Sequence, residues 1–241
     1  MFAGRTTVRI ARSTILFLAL STVSAPLSRA AEVPAGRNIS IGGVPSIFIK
    51  KEGAKGTLVL LTGGNGKLGV LPGAMITENE TNVLIRNHSA FTAEGFNVLL
   101  LEGGTNLADA IGSVPRPVTV VATSAGTPRA AEGLLAGARP DKLVLLSGFL
   151  SKASGPSDSV AHILQRPELL PKTLVVHHRQ DRCRFTRPEG VSPFMNWARG
   201  RAKVLWIDGG KEEGNPCRYA SHHGFAGQDA AIVAAIASFA R

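Results

Sequence analysis

Val118-Thr119-Val120-Val121-Ala122-Thr123-Ser124-Ala125-Gly126-Thr127 is the stretch on which the reading of this chain turns. A β-branched apolar run ends in a serine flanked by small residues, and an alanine-rich segment follows at once. The run reads as a buried strand and Thr127 to Ala136 as a helix, which puts Ser124 on a sharp strand-to-helix turn. A serine there projects its hydroxyl above the sheet edge, and small neighbours keep the strained turn sterically open. This is the local architecture of a nucleophile elbow. The motif is Ala122-x-Ser124-x-Gly126, with alanine where the usual form has its first glycine. Ser40-Ile41-Gly42 also matches Ser-x-Gly but reads as ordinary N-terminal strand, so context carries the assignment.

Outward from this stretch, glycine and proline divide the chain into alternating elements. Thr57 to Leu61, Asn97 to Leu101, Val118 to Ala122 and Lys142 to Leu146 are uninterrupted aliphatic runs, joined by Thr173 to Val176 and Ala202 to Ile207. Such runs suit a parallel sheet covered on both faces. Ile39 to Ile41 and Ser46 to Ile49, around Gly42-Gly43-Val44-Pro45, read as a leading hairpin. Helices are expected over Thr81 to Ala93 (capped by Asn79, stopped by Gly95), Thr127 to Ala136, Ser159 to Leu169 and Gln228 to Phe239. The last places Ile232, Val233, Ile236 and Phe239 on one face. The connection from Glu102 to Val118 is short, with only Asn106 to Ile111 available as helix, so one side of the sheet is expected to be less covered. The alternation predicts an α/β fold: a doubly wound, mostly parallel sheet with helices on both faces.

Residues 1–30 are expected to be a signal peptide. Arg5, Arg9 and Arg12 form a basic start, Thr14 to Val23 an apolar core too short for a membrane span, and Ser28-Arg29-Ala30 a cleavage site. Residues 31–241 are then one domain, periplasmic or secreted. Residues 1–30 hold four of the 27 basic residues and none of the 17 acids, leaving 23 against 17, a net +6, on residues 31–241. The basic residues are scattered and not interleaved with aromatic ones, which argues against nucleic acid as a partner. Weak contact with an anionic envelope surface is compatible with this charge. The two cysteines, Cys183 and Cys217, suggest one disulfide in an oxidising compartment. The bond would join the neighbourhoods of Asp181 and His223.

A serine hydroxyl needs an imidazole to take its proton and an acid to orient that imidazole. Thr173 to Val176 runs into His177-His178-Arg179-Gln180-Asp181, placing Asp181 just past a strand end, and His222-His223-Gly224-Phe225 precedes the terminal helix. Asp208 is the rival acid and His222 the rival base; His177 and His178 read as strand-end groups that support the site rather than as ligands, and His88 and His162 as surface or helix-face residues. From about Thr57 to its end the chain resembles exported α/β-hydrolases of the serine esterase and lipase type. The matching pieces are Leu60-Leu61-Thr62-Gly63-Gly64-Asn65-Gly66, the Ser124 elbow, Asp181 and His-Gly-Phe. The resemblance implies Ser124 as nucleophile, Asp181 as acid and His223 as base, with no cofactor and no metal. It also implies an oxyanion hole from the N–H of Ala125 and that of Gly64 or Asn65.

Gly64 to Gly69 formally matches the dinucleotide pattern G-x-G-x-x-G. No helix opens at the third glycine, since Leu71-Pro72-Gly73 interrupts, and Glu102 lies more than 30 residues further on, against about 20 in that fingerprint. Lys67 is followed by Leu68, so the loop is not a Walker A loop either. Residues 147–171 are the only room for a cap, implying a small or absent lid. The expected function is hydrolysis of a small-molecule or lipid-like carboxylic ester through an acyl-enzyme. The alternative is a non-catalytic periplasmic binding or scaffold protein retaining the same fold. Acyl and alcohol specificity and oligomeric state are not legible.

Overall fold

Aliphatic runs form the sheet because β-branched and leucine side chains pack well on both of its faces. The computed structural model describes residues 1–4 and 30–241; the expected signal peptide falls on residues outside that description. The strands are β1 (Ala31–Glu32), β2 (Gly36–Ile41), β3 (Val44–Ile49), β4 (Thr57–Leu61), β5 (Met75–Ile76), β6 (Asn97–Leu100), β7 (Val118–Thr123), β8 (Lys142–Leu146), β9 (Lys172–His178) and β10 (Ala202–Ile207). The helices are α1 (Val83–Arg86), α2 (His88–Ala93), α3 (Leu107–Gly112), α4 (Gly126–Leu135), α5 (Val160–Leu164), α6 (Val191–Trp197) and α7 (Asp229–Ala240).

Eight strands form one sheet in the order β10-β9-β8-β7-β4-β6-β3-β2. The six from β6 to β10 are parallel, while β3 runs antiparallel to β6 and β2 antiparallel to β3. β1 and β5 pair separately. Alternate side chains of one strand enter two cores. Val59, Val120, Leu145 and Val175 pack with α3, α4, α5 and α6 on one face. Leu58, Leu60, Val121, Val144 and Val176 pack with α1, α2 and α7 on the other. Each aliphatic side chain buried in this way stabilises the fold by roughly 1.5–3 kcal/mol. No helix long and apolar enough to cross a membrane occurs among the described residues.

Several local expectations are corrected. The hairpin turn is only Gly42-Gly43, both at positive φ, so Val44 and Pro45 already belong to β3. The helix expected over Thr81 to Ala93 is two helices, capped by Asn82 rather than Asn79. It breaks at Asn87, whose side-chain amide donates to Val83 O and across the molecule to Asp229 Oδ1. Asn79 sits at φ +61° and donates to Lys67 O instead. The segment Ser159 to Leu169 stops early, at Gln165 with φ +55°, ahead of Pro167. Its helix α5 buries Val160 and Leu164 in the core beside α4, so it is a layer element and not a lid. Phe239 is only half-buried on the face of α7; Ala237 and Ala240 complete that face. The short crossover does contain only the six-residue α3, capped by Asn106, and a cavity of about 280 Å³ opens between it and Arg129 and Glu132 of α4.

Candidate active site

β7 lies in the middle of the sheet, between β4 and β8, and the chain reverses at its end. Ser124 adopts φ +52°, a region in which a residue with a Cβ is strained. The turn is held from both sides: Ser124 N–H donates to Leu146 O, and Ser124 O accepts from the backbone and hydroxyl of Thr127. Gly126 is required because a Cβ there would lie 2.6 Å from Leu61 O and 2.8 Å from Thr62 O. Ala122 needs no such exemption, since its methyl group is an ordinary part of the core.

The structure brings Ser124, His223 and Asp181 together. Ser124 Oγ is 3.1 Å from His223 Nε2, and His223 Nδ1 is 3.0 Å from Asp181 Oδ2. His223 sits in a short 3₁₀ turn whose carbonyl accepts from Ser147 Oγ at the end of β8, and Phe225 anchors the turn in the core. Gly224 leaves no room for a side chain, since a Cβ would meet the Tyr219 backbone at 2.4 Å. The rivals lie elsewhere. Asp208 is exposed and paired with Arg179 at 3.2 Å. His222 stacks on His178 at 4.2 Å and lies beside Glu212. His162 is exposed next to Asp158, and His88, the first residue of α2, bonds Ile85 O in the preceding helix α1.

Thr186 was not singled out from the sequence. Its hydroxyl donates to Asp181 Oδ2 (3.0 Å) and lies 2.9 Å from His223 Nδ1. Cys183 N–H donates to the other carboxylate oxygen at 2.8 Å. The hydroxyl proton is spent on Asp181, so both neighbours of Nδ1 are acceptors and that nitrogen must carry the ring proton. The lone pair of Nε2 then faces Ser124. A hydroxyl in the loop after the acid was visible as Thr186 in the sequence, but nothing local distinguished it.

His177 supports the same loop by donating from Nε2 to Thr186 O at 2.8 Å. Burial pushes its pKa down from 6.5 to about 4. The unfolded chain takes up this proton near pH 6.5 and the folded chain only near 4. Stability at this residue is therefore full above pH 6.5 and falls as pH drops through that window. We expect about 2 kcal/mol of acid destabilisation between pH 7 and pH 5 from His177. Urea unfolding at both pH values should show a slope that His177→Gln largely removes; an equal slope in the variant would mean that His177 is not the group responsible.

Cys183 and Cys217 form a disulfide. The bond ties the loop of Asp181 to the loop that precedes His223. Closing a ring with a sequence separation of 34 residues stabilises the fold by roughly 3–4 kcal/mol on the chain-entropy model. The double variant Cys183→Ser/Cys217→Ser should lose that much in urea unfolding and lose activity at temperatures where it remains folded. Activity unchanged in the folded variant would separate the bond from the site.

A chamber of about 130 Å³ adjoins Ser124, lined among others by Gly63, Gly64, Asn82, Arg218, Tyr219 and His223. Gly63 must be glycine, because a Cβ would approach Ser124 Cβ to 2.9 Å. Of the two residues expected to supply the second oxyanion donor, Gly64 lines the chamber. Asn65 does not, and its side chain is engaged with Glu78 and Lys67 N. Arg129 of α4 donates to the carbonyls of Thr62 and Gly64, fixing the peptide planes of this loop. Among the described residues neither Ala125 N–H nor Gly64 N–H has an intramolecular acceptor, and Ala125 caps the N-terminus of α4. Only the Ala125 N–H lies at that terminus, and Ala125 is not among the residues lining the chamber; Gly64, in the loop after β4, lines it, and its free N–H suits a developing negative charge. The rest of the glycine-rich loop is structural: the Glu102 carboxylate accepts from Leu68, Val70 and Gly103 N–H, and no helix follows Gly69. No cluster of three His, Cys, Asp or Glu side chains suited to a metal ion occurs among the described residues.

No protein-family model matches the chain, and no curated protein matches it in sequence. Solved structures do match. The esterase domain of a Rhodothermus marinus protein is 13% identical, with a TM-score of 0.57 over 85% of this chain and 96% of that one. A serine hydrolase involved in carbazole degradation is 17% identical, with a TM-score of 0.54 over 87% and 98%. An esterase from Exiguobacterium antarcticum is 13% identical, with a TM-score of 0.55 over 85% and 99%. This likeness, with the strand order above, defines the fold. The chain has the α/β-hydrolase fold.

Proposed function

We propose that this chain is an exported serine hydrolase that cleaves carboxylic esters through an acyl-enzyme. The observation that carries the reading is the continuous hydrogen-bonded chain from Ser124 Oγ through His223 to buried Asp181. His223 Nε2 accepts the Ser124 proton as Oγ attacks the ester carbonyl, and Asp181 stabilises the imidazolium that forms. The N–H groups of Ala125 and Gly64 receive the charge on the tetrahedral oxygen. The imidazolium then protonates the departing alcohol, and water repeats the cycle on the acyl-enzyme. No step calls on a cofactor. Neighbours of the same fold that are named esterases and hydrolases support the reaction class.

The test is intact-mass labelling of the oxidised protein with a fluorophosphonate, beside Ser124→Ala. A single adduct mapping to Ser124 and absent from the variant is expected. No adduct on the folded protein would sink the hydrolase reading in favour of a binding or scaffold protein.

A further inference from the structure

The chamber beside Ser124 has an uneven chemistry. Its lining contains one permanently charged side chain, Arg218, and no Asp or Glu; Asp181 lies behind His223, fully engaged. Among the described residues, the Arg218 guanidinium has neither a salt-bridge nor a hydrogen-bond partner. Its neighbour Arg86, at the adjoining cavity, is by contrast committed to Asp229 at 2.6 Å. Thr81 and Tyr219 line the same chamber, and their hydroxyls are likewise unengaged among the described residues. A guanidinium offers only donors, and the two hydroxyls can add theirs, so this wall suits a group that only accepts.

Arg218 is also mounted on a fixed base. Cys217, the residue before it, is held by the disulfide, and Arg218 N–H donates to Asn215 O. Arg218 O accepts from both the N–H and the hydroxyl of Ser221, two residues ahead of His223. Arg218, an exposed residue, thus belongs to the very loop that positions the imidazole. The adjoining cavity, which shares Thr81 and Tyr219, carries Glu80 and Glu213 as well as Lys211. Its mixed charge gives an anion no reason to extend there, which localises the preference to the Arg218 side.

We propose that the substrate of this site is an ester bearing a carboxylate, recognised by Arg218. The proposal rests on the hydrolase reading above. The chemistry is unaltered: the Ser124 Oγ–acyl bond forms, the acyl–alkoxy bond breaks, and the alcohol leaves with the proton that His223 had taken. Arg218 touches only the substrate's carboxylate, so its role is specificity.

The experiment compares kcat/KM for two matched ester pairs on the intact oxidised protein. One pair carries the charge on the alcohol side, 4-acetoxybenzoate against its methyl ester. The other carries it on the acyl side, mono(4-nitrophenyl) adipate against 4-nitrophenyl hexanoate. The charged member of at least one pair should be preferred, and Arg218→Gln should lower that charged-to-neutral ratio about tenfold through KM. Arg218→Lys should retain part of the ratio, and added salt should shrink it in the parent protein. Hydrolysis of the neutral esters with no charged preference, or a preference that Arg218→Gln leaves intact, overturns the inference and spares the hydrolase reading. Fluorophosphonate labelling of Ser124 with all four esters left intact does the same. No turnover together with no labelling removes the hydrolase reading and this inference with it.

Discussion

Ser124→Ala is expected to abolish ester hydrolysis, with kcat falling on the order of 10⁶-fold. The variant keeps the oxyanion donors and the His223–Asp181 pair but has no oxygen to acylate, so only the slow attack of water remains. Ser124→Gly should be equally inactive and, unlike Ser124→Ala, more stable than the parent. Ser124 is held at φ +52°, and glycine relieves a backbone strain of about 1 kcal/mol. Initial rates on 4-nitrophenyl acetate, measured beside urea-unfolding midpoints, give both quantities from the same preparations. An inactive, stabilised glycine variant is what an elbow strained for chemistry should yield. Full activity in either variant would remove Ser124 from the mechanism.

Asp181→Asn should lower kcat by about 10⁴-fold with little change in fold. The argument lies in the proton count of its neighbours. Cys183 N–H, the Thr186 hydroxyl and His223 Nδ1 all address this side chain. A carboxylate accepts from all three. A carboxamide has one oxygen, which the Cys183 N–H claims, leaving its NH₂ at the position of Oδ2, facing both the Thr186 hydroxyl, which can turn to accept, and the imidazole. Nδ1 must then become an acceptor, the ring proton moves to Nε2, and the lone pair that should take the Ser124 proton is lost. Steady-state kinetics on Asp181→Asn beside Asp208→Asn decide the point. Retention of activity in the first and its loss in the second would transfer the acid role to Asp208.

The centre of the sheet was legible because its information is local. Thr57–Leu61 and Lys142–Leu146 are strands with the boundaries their aliphatic runs suggest. A buried parallel strand needs little beyond that composition. The order of Ser124, Asp181 and His223 was readable in the same way, since each residue marks the end of an element. Contacts across the chain were not readable. Asn87 breaks a helix partly by bonding Asp229, 142 residues away, and no helical period contains that partner. Thr186 lies among four arginines in a polar loop, where its hydroxyl looks like any surface threonine until Asp181 and His223 converge on it. Helix α6 is not among the helices expected from the sequence; Pro193 lies in its first turn. A proline in the first turn is tolerated, and the spacing of Val191, Phe194 and Ala198, all buried, was the signal to follow.

The covalent ring closed by Cys183 and Cys217 contains the whole of α6 and β10. Among the described residues β10 pairs only with β9, so it is an edge strand, the part of a sheet most prone to fraying and to pairing with another molecule. Here the edge is captive. The ring's clasp lies at the loops of Asp181 and His223, so a segment peeling from the sheet would pull on the same two loops that align the imidazole. In this protein, edge protection and the alignment of Asp181 with His223 share one mechanical link, and hydrogen exchange at β10 should rise in step with any loosening of the site.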